Sequence, residues 1–95
     1  MRSLPKALLD YLGYVIYFWI NEGIPLEPVH VHMAKGNPTP SATKKWLTKE
    51  GCKLEHNNSE IPPKDLKALL EFINENKSTV INVWLNRFGE AKLKI

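Results

Sequence analysis

The sequence predicts an α+β fold: a mostly antiparallel sheet of about four strands, followed by two C-terminal helices packed on one face. Three observations predict it. The run Tyr14 to Ile20 is aromatic and β-branched throughout, the composition of a core strand. Two apolar stripes at helical spacing, Leu66/Leu69/Leu70/Ile73 and Val80/Ile81/Trp84/Leu85/Phe88, lie in the C-terminal third. Strand-like segments come first and helical ones last, the order of a sheet with its helices segregated to one side.

From the N-terminus, Leu4, Leu8 and Leu12 share a helical spacing, which predicts a short helix over Pro5 to Leu12. Pro5 suits its first turn, and Gly13 ends it. The strand Tyr14 to Ile20 lacks polar alternation, so both of its faces are expected to be covered. Asn21 to Pro28 is rich in turn formers and reads as a loop. A second strand, Val29 to Ala34, runs up to a turn at Gly36-Asn37-Pro38 with Pro40. A third covers about Ala42 to Thr48, and Lys49-Glu50-Gly51 turns into a fourth, Cys52 to His56. Asn57-Asn58-Ser59 closes the sheet region. Pro63 opens the first helix, Asn74 to Lys77 breaks it from the second, and Gly89 caps the second. The tail Glu90 to Ile95 is extended or disordered. Trp19, Trp46 and the Tyr14/Ile16 set are the candidates for the sheet face beneath the helices.

Composition bounds the function. Ninety-five residues make one domain, residues 1–95, able to bury roughly 60–65% of its unfolded surface. The net charge of +3, from 13 Lys+Arg against 10 Asp+Glu, is too weak to imply a nucleic-acid partner by itself. The single cysteine, Cys52, cannot form an internal disulfide, so a cytoplasmic location is expected and the thiol reads as structural. The apolar stretch Ala7 to Ile20 is shorter than a membrane span and is interrupted by Asp10 and Gly13. No Ala-x-Ala-like cleavage site follows it. No membrane association is expected. No phosphate loop, nucleophile elbow, metalloprotease helix or paired-carboxylate signature is present.

Several motifs occur in a fixed order. Gly13-Tyr14-Val15-Ile16-Tyr17-Phe18 is followed by Pro28-Val29-His30-Val31-His32-Met33. Trp46-Leu47-Thr48, Gly51 and Ile61-Pro62 come next, and then Phe72 and Trp84 at about a twelve-residue spacing. Over roughly residues 13 to 88 this resembles the bacterial and archaeal family of domain of unknown function 4160, leaving 1–12 as a lead-in and 89–95 as a tail. Val29 stands where the family's strand usually has a second proline, and Phe72 where it usually has a tryptophan. Lys49-Glu50 precedes Gly51, and the loop Glu22 to Glu27 departs from the family's usual Asp-His-Asn. The resemblance implies no assigned activity. It does imply a gene setting beside a second small uncharacterised family, in an arrangement like a toxin–antitoxin pair.

The motif with most chemical content is His30-Val31-His32. Residues i and i+2 of a strand share a face, which puts the two imidazoles together, roughly 6–7 Å apart at the backbone. Val29, Val31 and Met33 then point into the core. Three readings stand. The histidines are partly exposed strand residues that hydrogen-bond the preceding proline loop and fix its shape. Or they are ligands of a divalent metal, with Glu22, Glu27 or His56 as a third donor. Or they are acid–base groups acting on a phosphodiester, with Lys35, Lys44 and Lys45 holding phosphate. Lys44, Lys45, Lys49 and Lys53 also cluster around one hairpin, where Lys44, Lys45 and Trp46 are candidate nucleic-acid contacts. The bland alternative is a sheet edge guarded by lysines.

The expected function is a protein-interaction module, one half of a toxin–antitoxin-like pair. Its partner is a protein encoded nearby or a second copy of the chain, paired through an edge strand or the exposed part of the Trp84 helix. No cofactor is predicted. The alternative is a histidine- or metal-dependent enzyme acting on nucleic acid through His30 and His32.

Overall fold

The computed structural model describes residues 5–20, 26–39 and 41–95. Among them the chain forms one antiparallel five-stranded sheet and two helices that follow it in sequence. The strands are β1 (Pro5–Tyr11), β2 (Tyr14–Trp19), β3 (His30–Lys35), β4 (Thr43–Leu47) and β5 (Cys52–His56). The helices are α1 (Pro63–Glu75) and α2 (Lys77–Phe88). Spatial order equals sequence order, β1-β2-β3-β4-β5, so β1 and β5 are the edges.

The first strand corrects the expected helix over Pro5 to Leu12 and raises the strand number from about four to five. β1 pairs with β2 from Pro5↔Trp19 to Tyr11↔Tyr14, with a register shift between Ala7 and Leu9. A bulge there interrupts the period-2 pattern, and Leu8 and Leu9 both pack against the core. A four-residue spacing puts Leu8 and Leu12 on one face of a strand as readily as of a helix, and Leu4 lies outside the described residues. Gly13 therefore turns a hairpin rather than ending a helix. Leu12 and Gly13 both have positive φ, 54° and 81°, as a two-residue type I′ turn requires.

The pleat gives the sheet two distinct faces. Tyr14, Ile16 and Phe18 of β2, Val31 and Met33 of β3, and Leu47 of β4 join Leu69, Ile73, Val80 and Trp84 in one core beneath the helices. Tyr17, Ala34 and Ala42 form a smaller cluster on the other side, with Val15 and Trp19 packed against it. The expected Tyr14/Ile16 set does lie beneath the helices. Trp19 belongs to the opposite cluster, and Trp46 lies on the histidine side, paired with His30.

Pro63 starts α1, and α2 ends at Gly89 in the left-handed conformation, its N–H donating to the Leu85 carbonyl at 2.8 Å. The break between the helices is confined to Asn76, whose side-chain amide donates to the Phe72 carbonyl at 2.8 Å. Phe72 stacks on Tyr11 with centroids 4.1 Å apart, fastening α1 to the end of β1. A hydrogen-bonded knot joins the sheet to the segment entering α1. The Thr43 amide donates to Ser59 Oγ at 2.9 Å, Ser59 Oγ donates to the Met33 carbonyl, and Thr43 Oγ1 donates to Asn57 Oδ1 at 2.7 Å. The tail is extended and returns to the sheet. Val29 donates to the Lys92 carbonyl, Lys94 donates to the Leu47 carbonyl, and Thr48 bridges Lys94 in parallel. Among the described residues no helix is long and apolar enough to cross a membrane.

Leu12 is half exposed and occupies a left-handed conformation that suits asparagine far better. Leu12→Asn should therefore stabilise the fold by about 0.5–1 kcal/mol. Urea unfolding checks this: the midpoint should rise at unchanged slope, and an unchanged or lower midpoint would refute the turn assignment.

Candidate functional site

His30 and His32 lie on the side of β3 away from the main core, in register with Trp46 and Lys44 of β4. His32 also faces Tyr17 of β2. The two imidazoles meet at right angles, 5.3 Å between centroids. His32 stacks on Tyr17 at 5.6 Å, and His30 meets Trp46 edge-on at 5.4 Å. Among the described residues the β2–β3 register ends at Tyr17↔His32, two residues short of His30. Beyond that point the Trp84 indole of α2 approaches His30 to 5.2 Å. The histidine pair is thereby joined to the helical layer.

Both histidines are buried, 1% and 6% exposed, which corrects the expectation of partly exposed side chains. Their hydrogen bonds explain how β3 tolerates them. His30 Nδ1 lies 3.0 Å from the Pro28 carbonyl and His32 Nδ1 lies 3.2 Å from the Ala42 carbonyl. A carbonyl only accepts, so each Nδ1 carries the proton, and in the neutral imidazole Nε2 is then an acceptor. The first bond is the expected one to the proline loop. The second ties β3 to the start of β4. Tyr17 completes the frame: its hydroxyl donates to the Thr39 carbonyl at 2.8 Å and accepts from the Thr39 amide at 3.0 Å. Burial pushes the Tyr17 phenol above its usual range.

Of the expected third metal donors, Glu22 lies outside the described residues. So do Asn21, Gly23 and Pro25 of the expected loop and Pro40 of the following turn. The Glu27 carboxylate is held by Lys44 Nζ at 3.0 and 3.2 Å, and His56 Nδ1 accepts from the Asn58 amide at 3.3 Å. Among the described residues no three His, Cys, Asp or Glu side chains form a metal-holding group.

The candidate cations are not brought together. Lys35 is exposed, its ammonium 5.6 Å from the Tyr14 ring. Lys44 lies over Trp46 at 4.2 Å on the histidine side, and Lys94 comes within 4.9 Å of the same ring. Lys45 points the other way and is only 3% exposed. Trp46 is itself buried, and its Nε1 donates to Glu55 Oε1 at 2.8 Å. That bond holds the Glu55 carboxyl below its usual range. Lys44, Lys45 and Trp46 thus share one strand without sharing one surface.

Sequence reasoning missed two features of this region. Tyr17 and Trp84 as neighbours of the histidines follow from pairing and helix placement, and nothing in the local motif shows them. The lining of Lys45 was legible in principle: it alternates with Lys44 and Trp46, so it had to face the helices if they did not. Burial pushes the Lys45 amine below the usual lysine range. Burial also raises the Cys52 thiol, whose Sγ lies 3.8 Å from the Leu70 carbonyl.

The sign of the Lys45 shift fixes a pH dependence. The unfolded chain keeps this proton up to the usual lysine range, and the folded chain releases it earlier. Folded stability linked to Lys45 therefore rises with pH between those two values. Lys45→Met should be more stable than the unsubstituted chain at neutral pH by about 1 kcal/mol, roughly 4–8 °C in Tm. That advantage should shrink as pH approaches about 10. Thermal unfolding across this range checks it; an advantage that is absent or independent of pH would contradict the assignment.

A search of the curated proteins and one of the solved structures find no match to the chain. A family model does match, over residues 13–85, from the glycine of the first hairpin turn to the second helix. That segment contains the histidine strand, its partners on β2 and β4, and Trp84. The chain belongs to the family described as domain of unknown function DUF4160.

Proposed function

We propose that the domain is a protein-interaction module that receives a partner protein along the outer edge of β5, as one half of a toxin–antitoxin-like pair. The observation that carries this reading is the edge itself. β5 ladders with β4 on one side, and among the described residues no strand lies on the other. Lys53, Leu54 and Glu55 in its middle are exposed. Such an edge offers a row of backbone donors and acceptors to an incoming strand. The burial of both histidines supports the same reading, because a group that transforms a substrate must meet it.

Co-expression with the product of the neighbouring gene tests the proposal. A stable complex is expected, with amide exchange over Cys52–His56 slowed at least about tenfold and β1 unchanged. Failure to form a complex with that product or with a second copy would overturn it, as would protection confined to other strands.

One observation favours a second reading. Both imidazoles give their Nδ1 protons to backbone carbonyls, the orientation that ligand and general-base histidines commonly use. In this reading His30 and His32 serve a divalent metal or the proton transfers of phosphodiester cleavage in nucleic acid. It predicts bound metal or nuclease activity that His30→Gln and His32→Gln each abolish while circular dichroism stays native. Purified protein with neither metal nor cleavage activity would end this reading and leave the first untouched.

A further inference from the structure

A cavity of about 350 Å³ lies between the helix side of β4–β5 and α1. Leu54, Leu66 and Leu70 give it apolar walls, and Lys45, Cys52 and Lys67 also line it. Lys45 is the unusual member. Its side chain is only 3% exposed, and its ammonium opens on the cavity without a hydrogen bond or ion pair to the described residues. An ammonium largely withdrawn from solvent normally has a counter-charge, because its desolvation is costly. The Cys52 thiol lies near Lys45, and burial raises its proton affinity. The second charged group at the wall, Lys67, is also a cation. The cavity therefore presents apolar surface and positive charge with no acidic side chain in its lining.

The neighbouring space fixes an orientation. A second cavity of about 300 Å³ shares Cys52 and Leu70 with the first and continues along α1 to Gly51, Glu71 and Asn74. The first part of the combined groove carries Lys45 and Lys67, and the second carries the Glu71 carboxylate, one helical turn beyond Lys67. An occupant with a single negative head and an apolar body matches this pattern; a second negative end would meet Glu71.

We propose that the groove between β5 and α1 is a binding site for a free medium-chain monocarboxylic acid, its carboxylate paired with the Lys45 ammonium and its chain lying along Leu54, Leu66 and Leu70 towards Cys52. The lowered proton affinity of Lys45 in the empty groove agrees with this, since a carboxylate at the amine restores the charged form. The site lies on the helix side of β5 and is independent of strand addition at the β5 edge.

The test uses the full chain, calorimetry with octanoate, and octanamide as a neutral analogue of equal length. Saturable one-to-one octanoate binding is expected, with octanamide at least about tenfold weaker. Lys45→Met should lose at least about tenfold in octanoate affinity, and Lys45→Arg should retain most of it. In the unsubstituted chain, saturating octanoate should slow alkylation of Cys52 by iodoacetamide, which locates the ligand without any variant. Equal binding of octanoate and octanamide would overturn the proposal. So would octanoate binding that is absent, unaffected in Lys45→Met, or without effect on Cys52 alkylation.

Discussion

β3 is covered on both faces, and the rest of the molecule is arranged around that constraint. Val31 and Met33 meet the helices through one face, and His30 and His32 enter a polar-aromatic layer through the other. Apolar side chains need only volume to fill. Imidazoles buried to this degree also need partners for their ring nitrogens. The carbonyls of Pro28 and Ala42 serve two of them, so the approach to β3 and the start of β4 must hold fixed shapes. The prolines around these segments suit that demand, because they restrict the backbone before any contact is made.

The fold was legible where one local rule acted alone. β5 spans the residues its composition and flanking turns indicated, and the helical pair begins at Pro63, breaks within Asn74 to Lys77 and ends at Gly89. It was illegible where two rules competed. In β1 the four-residue leucine spacing fits a strand and a helix alike, and only pairing with β2 decides between them. Trp46 looked like core for the helices because tryptophan is large and apolar. Its register opposite His30 puts it on the other side, where Lys44, Lys94 and Glu55 surround it. The family motif identified the histidine strand correctly. Its burial was illegible because Tyr17 and Trp84 come from distant segments.

Charge clusters in sequence need the same care. Lys44 and Lys45 are adjacent, and a strand sends adjacent residues to opposite sides. One ammonium therefore bonds Glu27 and covers an indole, while the other lines an apolar groove with Cys52. The two differ in proton affinity, accessibility and the partners open to them. The two faces of this small sheet thus carry different chemistries: hydrogen-bonded imidazoles on one, and apolar packing flanked by the Lys45 amine on the other.

The nearest-neighbour order of the strands also bears on how the chain reaches this state. Each strand pairs with the one just before it, so successive hairpins close across short loops and the entropic cost of each step is small. No crossover has to be threaded before the sheet exists. The contacts that span the greatest sequence separation are those of α2 and the tail, from Phe88 and Trp84 to Phe18, from Arg87 to the Ile20 carbonyl and from Lys92 to Val29. Such a topology favours zipping from one hairpin to the next, with docking of the C-terminal strap as a late event that locks a sheet already formed.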